Sequence, residues 1–375
     1  MKKIIFSSPI IDTVKTSKIL GLALKKNFPN EGLITKIFEN KIKQILNVKH
    51  VILTTSGTSA IYLALKANDI KYGDEVIIPN ITFPATANAV NMTGAKVILS
   101  DVSKNNLLMD LNSLEKNISK KTKAILPVHI SGRGDNIKSI LKLARKYKIK
   151  VIEDAAEAFG SKNGRKNLGT YGVCGCFSLA PNKIITTGQG GIVVTNDKKL
   201  YLKIINLKNQ GRTKSFESKN TYSYRGFNFK FTDLQASLGI SQISNFYKRK
   251  EKLVKIYKFY KKNLIQNQNF KLIGFDIKNG ELPLWSDVYC SNSQKLYKYL
   301  KKKKIYCRYF WDSINSMTPY KKSFHNLSNS KDLKNKLMWL PSSLSLESKE
   351  LNYICNNINK YLKGNSNFKK KRKAE

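Results

Sequence analysis

Residues 150–158 read KVIEDAAEA, an apolar run that ends in a cluster of acidic residues. Similar apolar runs recur at 51–55, 76–78, 95–100 and 123–128. Helix-like segments such as 58–67 separate these runs, and this alternation indicates β-α-β units. The sequence therefore predicts an α/β fold with a mostly parallel sheet between helices. Ligands bind such sheets outside the carboxyl ends of the strands, which is where Asp154 and Glu157 would lie.

The pattern changes after about residue 230. Thr232 would begin a long helix that continues through Tyr257, and residues from about 270 to 362 would form a smaller mixed α/β region. We therefore expect three parts, namely a large domain over 1–240, a small C-terminal domain over 241–363 and a basic disordered tail over 364–375.

The charge of the chain is strongly positive. It has 375 residues, with 68 Lys and Arg against 25 Asp and Glu, which gives a formal net charge of +43. Only eight of the 68 are Arg, the residue that specific nucleic-acid readers favour, and no nucleic-acid-binding module is visible. We expect no specific nucleic-acid partner, although a basic nucleic-acid-binding protein is the alternative from a different functional class.

The sequence predicts neither a membrane span nor a metal site. No apolar run approaches the roughly 20 residues of a membrane span, and the N-terminus lacks a secretory apolar segment, so the sequence predicts a cytoplasmic protein without a membrane span. The five cysteines are scattered, which predicts buried thiols and no metal site.

Three other segments carry side chains suited to anion and carbonyl chemistry. TSGTSA at 55–60 follows a strand and begins a helix, so its backbone N–H groups could bind an anion; an ordinary helix cap is the alternative. Lys183 lies in CFSLAPNKIITTGQGG at 176–191, and a Lys among apolar neighbours can attack a carbonyl. YRGFNFKFTDLQA at 224–236 precedes the predicted long helix, where a polar loop is the alternative.

Together with GDEVIIP at 73–79, TFPATANA at 82–89 and PVH at 127–129, these segments resemble the DegT/DnrJ/EryC1/StrS sugar aminotransferase family. The resemblance spans nearly the whole chain. It implies dependence on pyridoxal 5′-phosphate and the fold type I, aspartate aminotransferase-like architecture. NKIITTG at 182–188 and YCRYFW at 306–311 look most similar to perosamine-synthase-like 4-aminotransferases.

The resemblance also implies roles for individual residues. Lys183 would bind the cofactor covalently and transfer a proton, while Asp154 would keep the pyridine nitrogen cationic, so these two are the candidate catalytic residues. The side chains implied to contact the cofactor are Thr58, Ser59, Phe83, Asp154, Glu157, Ser178, Lys183 and Asn228. Asn228 would reach the cofactor phosphate of a neighbouring subunit, which implies a homodimer with shared active sites.

The implied reaction transfers an amino group from an amino acid, usually glutamate in this family, to a nucleotide-linked 4-keto-6-deoxy sugar for surface polysaccharide, lipopolysaccharide or glycan synthesis. Arg308 and His129 are the candidate substrate-binding residues, but His129 could equally be a packed side chain at a strand end. Two other interpretations keep the fold. One is a sugar dehydratase, in which His replaces the Lys, and the other is an inactive regulatory relative.

Overall fold

A computed structural model describes residues 3–25, 30–134, 136–213, 221–321 and 327–371, with side chains as far as 364. The helices are α1 Thr13–Leu24, α2 Leu33–Leu46, α3 Gly57–Ala67, α4 Pro84–Met92, α5 Leu111–Lys116, α6 Ile137–Lys146, α7 Lys198–Lys208, α8 Asp233–Ile243, α9 Phe246–Asn263, α10 Ser293–Lys302, α11 Ser328–Leu333 and α12 Ser348–Lys371. The strands are β1 His50–Thr54, β2 Glu75–Pro79, β3 Lys96–Ser100, β4 Thr122–Ile125, β5 Lys150–Asp154, β6 Lys162–Asn163, β7 Lys166–Asn167, β8 Cys174–Ser178, β9 Gly191–Thr195, β10 Phe270–Leu272, β11 Ser286–Cys290, β12 Arg308–Tyr309 and β13 Leu337–Leu340.

The larger sheet has seven strands in the order β1-β9-β8-β5-β4-β2-β3. Strand β9 runs antiparallel to both of its neighbours, and the remaining pairs are parallel. The prediction of an α/β fold with a mostly parallel sheet is therefore confirmed. Strands β1 to β5 coincide with the apolar runs in the sequence to within a few residues.

Both faces of this sheet are buried, which explains why its strands are continuous apolar runs. In β1, Val51 and Leu53 pack into the hydrophobic cluster on one face, while Ile52 packs into the cluster on the other. Strand β2 repeats the arrangement, with Ile77 on the first face and Val76 on the second. Successive side chains of a strand point to opposite faces, so the apolar residues of these strands are packed on both faces of the sheet.

A four-stranded antiparallel sheet in the order β10-β11-β13-β12 forms a second layer, with α9, α10 and α12 contributing to its core. The two sheets lie on either side of residue 240 in the chain, and the domain boundaries remain a prediction. The backbone of α12 continues to Lys371, past residue 364, where the sequence predicts a disordered tail. Residues 372–375 of that tail lie outside the described residues.

The prediction of one long helix from Thr232 is wrong. Thr232 does cap a helix, since its hydroxyl accepts a hydrogen bond from the Gln235 N–H at 3.2 Å, but α8 ends at Ile243 and α9 begins at Phe246. Asn245 interrupts the helix with φ −104° and ψ 13°. The Arg249 guanidinium ties α9 to α8 through the Gln242 amide oxygen and donates to the Ile184 carbonyl at 2.9 Å.

Among the described residues, no helix is both long enough and apolar enough to cross a membrane. In the same part of the chain, no group of three or more His, Cys, Asp or Glu side chains is arranged to hold a metal ion. The five cysteines are buried free thiols.

Candidate active site

A cavity lies at the carboxyl edge of the large sheet, where parallel strands β5 and β8 end at Asp154 and Ser178. The N-terminus of α3 and the segment after β8 complete its walls. Of the residues predicted from sequence, those that line this cavity are Thr58, Phe83, Asp154, Glu157, Ser178, Lys183 and Arg308. The fold thus brings together side chains that are up to 250 residues apart in the chain (Thr58 to Arg308).

Asp154 is a buried carboxylate at the cavity wall, with only 4% of the residue exposed. Its Oδ2 accepts a hydrogen bond from the Thr86 hydroxyl at 2.7 Å, and its Oδ1 accepts one from the Ala156 N–H at 3.1 Å. Burial raises the pKa of Asp154, and these hydrogen bonds and the charge of Lys183 only partly oppose that shift. A cation placed against this carboxylate in the cavity would favour its ionised form.

Lys183 and Glu157 form an ion pair beside Asp154. The Lys183 Nζ lies 3.2 Å from the Glu157 Oε1, and the Ser131 N–H donates to the Glu157 Oε2 at 2.8 Å. Burial raises the pKa of Glu157, with Lys183 and Ser131 opposing it. The Lys183 ammonium also lies 5.0 Å from the centroid of the Trp285 ring, so the amine is held between a carboxylate and an aromatic face.

Ser131 connects this pair to the small sheet. Its hydroxyl donates to the Asp287 Oδ1 at 2.9 Å, and Asp287 lies on β11. The Arg133 guanidinium pairs with the same carboxylate and lies 3.7 Å from the centroid of the Phe275 ring. Arg133 and Asp287 are both almost completely buried, and their pairing joins the segment after β4 to the small sheet.

The start of α3 provides an anion site. Ser56 caps the helix: its hydroxyl accepts a hydrogen bond from the Ser59 N–H, and the Ser56 N–H in turn donates to the Ser59 hydroxyl, as in a capping box. Gly57 brings the helix close to β8, since a Cβ at this position would lie 3.1 Å from the Ser178 Cβ. The first N–H groups of the helix, with the hydroxyls of Thr58 and Ser178 beside them, suit a phosphate.

These groups fit pyridoxal 5′-phosphate. The helix start and its hydroxyls suit the phosphate, the buried Asp154 carboxylate suits a cationic pyridine nitrogen, and the Lys183 amine suits the aldehyde. Phe83 adds an aromatic ring that is 49% exposed, at a ring-centroid distance of 5.7 Å from Trp311. The donor set therefore matches the phosphate, the ring nitrogen and the aldehyde of the cofactor.

The model of the DegT/DnrJ/EryC1/StrS aminotransferase family matches residues 12–359. The chain belongs to this family. It is 34% identical over 339 residues to GDP-perosamine synthase from Escherichia coli O157:H7. The aligned region covers 88% of this chain and 91% of the relative.

Solved structures of family members have the same fold. The chain resembles Helicobacter pylori PseC, an aminotransferase involved in the biosynthesis of pseudoaminic acid, with a TM-score of 0.89 and 25% identity over 96% of this chain and 99% of PseC. It also resembles the PMP-form of the putative sugar aminotransferase Spr1654 from Streptococcus pneumoniae, with a TM-score of 0.89 and 20% identity over 95% and 98% of the two chains. The DegT/DnrJ/EryC1/StrS enzymes are aminotransferases that depend on pyridoxal 5′-phosphate, so the predicted family, fold, enzyme class and cofactor are confirmed.

Three predicted site residues of this family member lie outside the cavity lining. The Ser59 hydroxyl is occupied in the helix cap described above. His129 is buried between the Glu153 Oε2, 2.7 Å from its Nε2, and the Arg133 carbonyl, 3.2 Å from its Nδ1. This arrangement favours the packed strand-end role over substrate binding. Asn228 is exposed and pairs through its backbone with Asn209, away from the cavity.

The sequence did not reveal the side chains that hold Asp154, Glu157 and Lys183 in place. Thr86 lies within the quoted motif at 82–89, but the sequence does not show that its hydroxyl reaches Asp154. Ser131 and Trp285 reach Glu157 and Lys183 from distant parts of the chain. Thr86 could have been singled out as a polar residue in a family motif, whereas Trp285 has no such signal.

Proposed function

We propose that this protein transfers the amino group of L-glutamate to the C4 keto group of a nucleotide-linked 4-keto-6-deoxy sugar. The observation that supports this proposal most directly is the cavity in which Lys183, Glu157 and Asp154 meet at the carboxyl edge of the sheet. Membership of an aminotransferase family, with a GDP-perosamine synthase as a relative over 88% of the chain, supports a nucleotide sugar as the acceptor.

Bound pyridoxal 5′-phosphate supplies an electron sink for the charge that develops when the donor loses its Cα proton. Lys183 removes that proton with its Nζ and later returns it, and Glu157 and Trp285 hold the amine in position. The Asp154 carboxylate stabilises positive charge on the pyridine nitrogen. The hydroxyls of Thr58 and Ser178, with the N-terminus of α3, bind the phosphate.

Arg308 provides a cation for the substrate in the same cavity. It lies on β12, lines the cavity and stacks near the Trp339 ring, with its Cζ 5.7 Å from the ring centroid. Arg308 is exposed, so its guanidinium can reach either a donor carboxylate or a substrate phosphate. The assembly that we propose is a homodimer in which Asn228 completes the neighbouring phosphate site. We also propose that the enzyme works in the cytoplasm and supplies amino sugars for surface polysaccharide or lipopolysaccharide.

The first test concerns the cofactor and the donor. The purified protein should absorb visible light after addition of pyridoxal 5′-phosphate, and borohydride should bleach the absorbance and fix the cofactor to Lys183. Glutamate should convert the absorbance to that of the amine form. Lys183→Ala should lose both responses, while Lys142→Ala, which changes an exposed lysine on α6, should keep them. A wild-type protein that shows no spectral change with any amino donor would contradict transamination.

The second test identifies the acceptor. Protein in the amine form is mixed with GDP-, UDP- and dTDP-linked 4-keto-6-deoxy sugars, and return of the aldehyde-form absorbance reports the second half of the reaction. We expect one nucleotide to react at least about tenfold faster than the others, because recognition of the base discriminates among them. Reaction of the amine form with 3-keto sugars, and with none of these 4-keto sugars, would reject the assignment to C4.

A further inference from the structure

Ser131 lies in a turn after β4 whose backbone conformation is unfavourable for a residue with a side chain. Its φ of 53° and ψ of 12° place it in the left-handed region. Gly132 follows with a φ of 100°, and a Cβ there would lie 2.0 Å from the Leu282 carbonyl oxygen, so the turn is pressed against the segment that leads into β11. Such backbone strain persists only where the surrounding structure holds it, and it is frequent at functional sites.

The segment before β11 and the small sheet hold Ser131 in this conformation. The Ser131 hydroxyl donates to the Asp287 Oδ1 at 2.9 Å, and the Leu284 N–H donates to the Ser131 carbonyl at 3.0 Å. Arg133 pairs with the same Asp287 carboxylate and so fixes the acceptor. Ser131 and Asp287 are completely buried, so water does not compete for these contacts. The small sheet therefore fixes the direction in which the Ser131 N–H points.

The Ser131 N–H points at Glu157. It donates to the Glu157 Oε2 at 2.8 Å, while the Glu157 Oε1 lies 3.2 Å from the Lys183 Nζ. The two oxygens of a carboxylate are rigidly connected, so a donor that fixes one oxygen also fixes the position of the other. Burial raises the pKa of Glu157, and the charge of Lys183 and the Ser131 N–H oppose that shift. Ser131 thus both orients the carboxylate and favours its ionised form.

Glu157 is the carboxylate that is available to the Lys183 amine. The charged side chains that line the cavity with Lys183 are Asp154, Glu157 and Arg308, and Asp154 is assigned to the pyridine nitrogen. Asp287 lies behind Glu157, where its charge raises the pKa of Glu157. A carboxylate beside an amine favours the protonated amine, so it makes the amine a stronger base towards the Cα proton of the donor.

We propose that Ser131 is a positioning residue for transamination: held by Asp287, it turns Glu157 towards Lys183 and so sets the strength of the Lys183 amine as a base. Ser131 does not line the active-site cavity, and it acts through Glu157. This inference rests on the proposed function, because it is in that reaction that Lys183 removes and returns a proton.

Acetylation of Lys183 by acetic anhydride, in the full-length chain freed of cofactor, measures the free amine without turnover. Mass spectrometry follows the peptide that contains Lys183, with the exposed Lys142 as the reference. At pH 8, Glu157→Gln should be acetylated at least about fivefold faster than the wild type, because the ammonium loses its counter-charge. Ser131→Ala should be acetylated at least about twofold faster, since the carboxylate is no longer held against the amine. The double variant should match Glu157→Gln, because Ser131 acts through Glu157.

Ser161→Ala is the matched control. Ser161 is also completely buried, and its hydroxyl joins the same turn to the same segment by donating to the Gly132 carbonyl and accepting from the Leu282 N–H at 2.9 Å. It has no printed contact with Glu157, so Lys183 should be acetylated at the wild-type rate in this variant. Ser131→Gly should change acetylation in the same direction as Ser131→Ala, and it keeps the test available if alanine destabilises the turn, because glycine adopts a positive φ without strain.

The pH dependence separates loss of the counter-charge from a loosened cavity. The excess acetylation in Ser131→Ala should disappear as the pH approaches 11, where the free amine predominates in every variant, whereas a more open cavity would increase acetylation at every pH. Acetylation at the wild-type rate in both Ser131 variants, an excess that does not depend on pH, or additive effects in the double variant would overturn the role of Ser131.

The reaction with glutamate distinguishes this inference from the proposed function. With cofactor bound, Ser131→Ala should react about three- to tenfold more slowly at saturating glutamate, with little change in the glutamate concentration at half-saturation, because proton transfer is affected and binding is not. Ser161→Ala should react at close to the wild-type rate. A wild-type rate in Ser131→Ala would overturn the inference and leave the function intact. Loss of the glutamate reaction in the wild type would instead reject the proposed function, whatever the acetylation rates.

Discussion

Asp154 is a buried carboxylate that accepts hydrogen bonds from one hydroxyl and one amide among the described residues, so part of its acceptor capacity remains for a ligand. Burial raises the pKa of Asp154, which favours its protonated form relative to a carboxyl group in water. A cationic pyridine nitrogen reverses this preference, because the ionised carboxylate then has an opposite charge beside it. Cofactor protonation and Asp154 ionisation are therefore coupled.

Asp154→Asn tests this coupling. The variant should bind pyridoxal 5′-phosphate, because the phosphate and aldehyde contacts lie on other residues, but its rate with glutamate should fall about 10²- to 10³-fold through loss of electrostatic stabilisation. Stopped-flow absorbance after mixing with glutamate measures this rate. Thr86→Ser, which keeps the hydroxyl donor to Asp154, is the control and should react at close to the wild-type rate. A rate for Asp154→Asn within about threefold of wild type would remove Asp154 from this role.

The sequence could identify the residues that carry the chemistry but not those that position them. Lys183, Asp154 and Glu157 lie in short ordered motifs, and all three line one cavity. Their supports come from side chains whose position depends on tertiary packing, such as Asp287 on the small sheet acting through Ser131. His129 shows the converse, since its family-motif position suggested a substrate contact, whereas Glu153 and Arg133 occupy its ring nitrogens.

Among the secondary-structure elements, those buried on both faces were the most predictable. Strands β1 to β5 read as apolar runs because both of their faces pack against helices. The break between α8 and α9 was not predictable from the apolar spacing, which continues from Ile243 to Phe246. What ends α8 is the non-helical conformation of Asn245, and the contact that holds the break, from Arg249 to the Ile184 carbonyl, joins residues 65 positions apart.

A partly buried charge cluster joins α2, β1 and α7 outside the active-site cavity. Glu39 on α2 accepts a hydrogen bond from the Leu53 N–H at 3.4 Å, while Lys208 at the end of α7 pairs with Glu31 and donates to the Leu53 carbonyl at 3.2 Å. Burial raises the pKa of Glu39 from 4.5 to about 7, with Lys208 lowering it and Glu31 raising it. Lys43 and Tyr201 are the other titratable groups near this carboxylate.

Glu39→Gln should remove a pH-dependent loss of stability. Between about pH 4.5 and 7 the unfolded chain releases the Glu39 proton while the folded protein keeps it, so the free energy of unfolding of the wild type falls as pH rises. The variant should match the wild type near pH 4.5 and be more stable above pH 7, by at most about 3 kcal/mol. Melting temperatures across this range measure the difference.

Glu115→Gln is the control, for which we expect the opposite pH dependence of stability. Hydrogen bonds from Lys146 and Tyr147 lower the pKa of Glu115, so its ionised form stabilises the fold. This variant should therefore lose stability relative to the wild type as pH rises. If the stability difference between Glu39→Gln and the wild type does not change with pH, Glu39 does not titrate as the structure indicates.

Most of the net charge of +43 comes from residues outside the active-site cavity. Among the residues that line the active-site cavity, two are cationic, Lys183 and Arg308. The remaining exposed lysines create a positive field that raises the local concentration of anionic substrates without distinguishing among them.

Asn228 gives the proposed dimer a test at the scale of the assembly. It is exposed and does not line the cavity of its own subunit. Its segment is held in place by two backbone hydrogen bonds, from the Phe227 N–H to the Leu207 carbonyl at 2.7 Å and from the Phe229 N–H to the Lys208 carbonyl at 3.1 Å. We expect Asn228→Asp to be nearly inactive, because it places a negative charge beside the phosphate of the neighbouring site.

Mixing two inactive variants should then restore activity. In a dimer of one Lys183→Ala subunit and one Asn228→Asp subunit, one site carries both defects, while the other combines an intact Lys183 with an intact Asn228. Random reassembly of equal amounts should therefore recover about a quarter of the wild-type activity, since half of the dimers are mixed and each has one intact site. Transaminase activity after unfolding and refolding the mixture measures this recovery, and the variants refolded separately and then combined are the control. Activity no higher than in that control would show that each subunit builds its phosphate site alone, because complementation requires Asn228 to act across the interface.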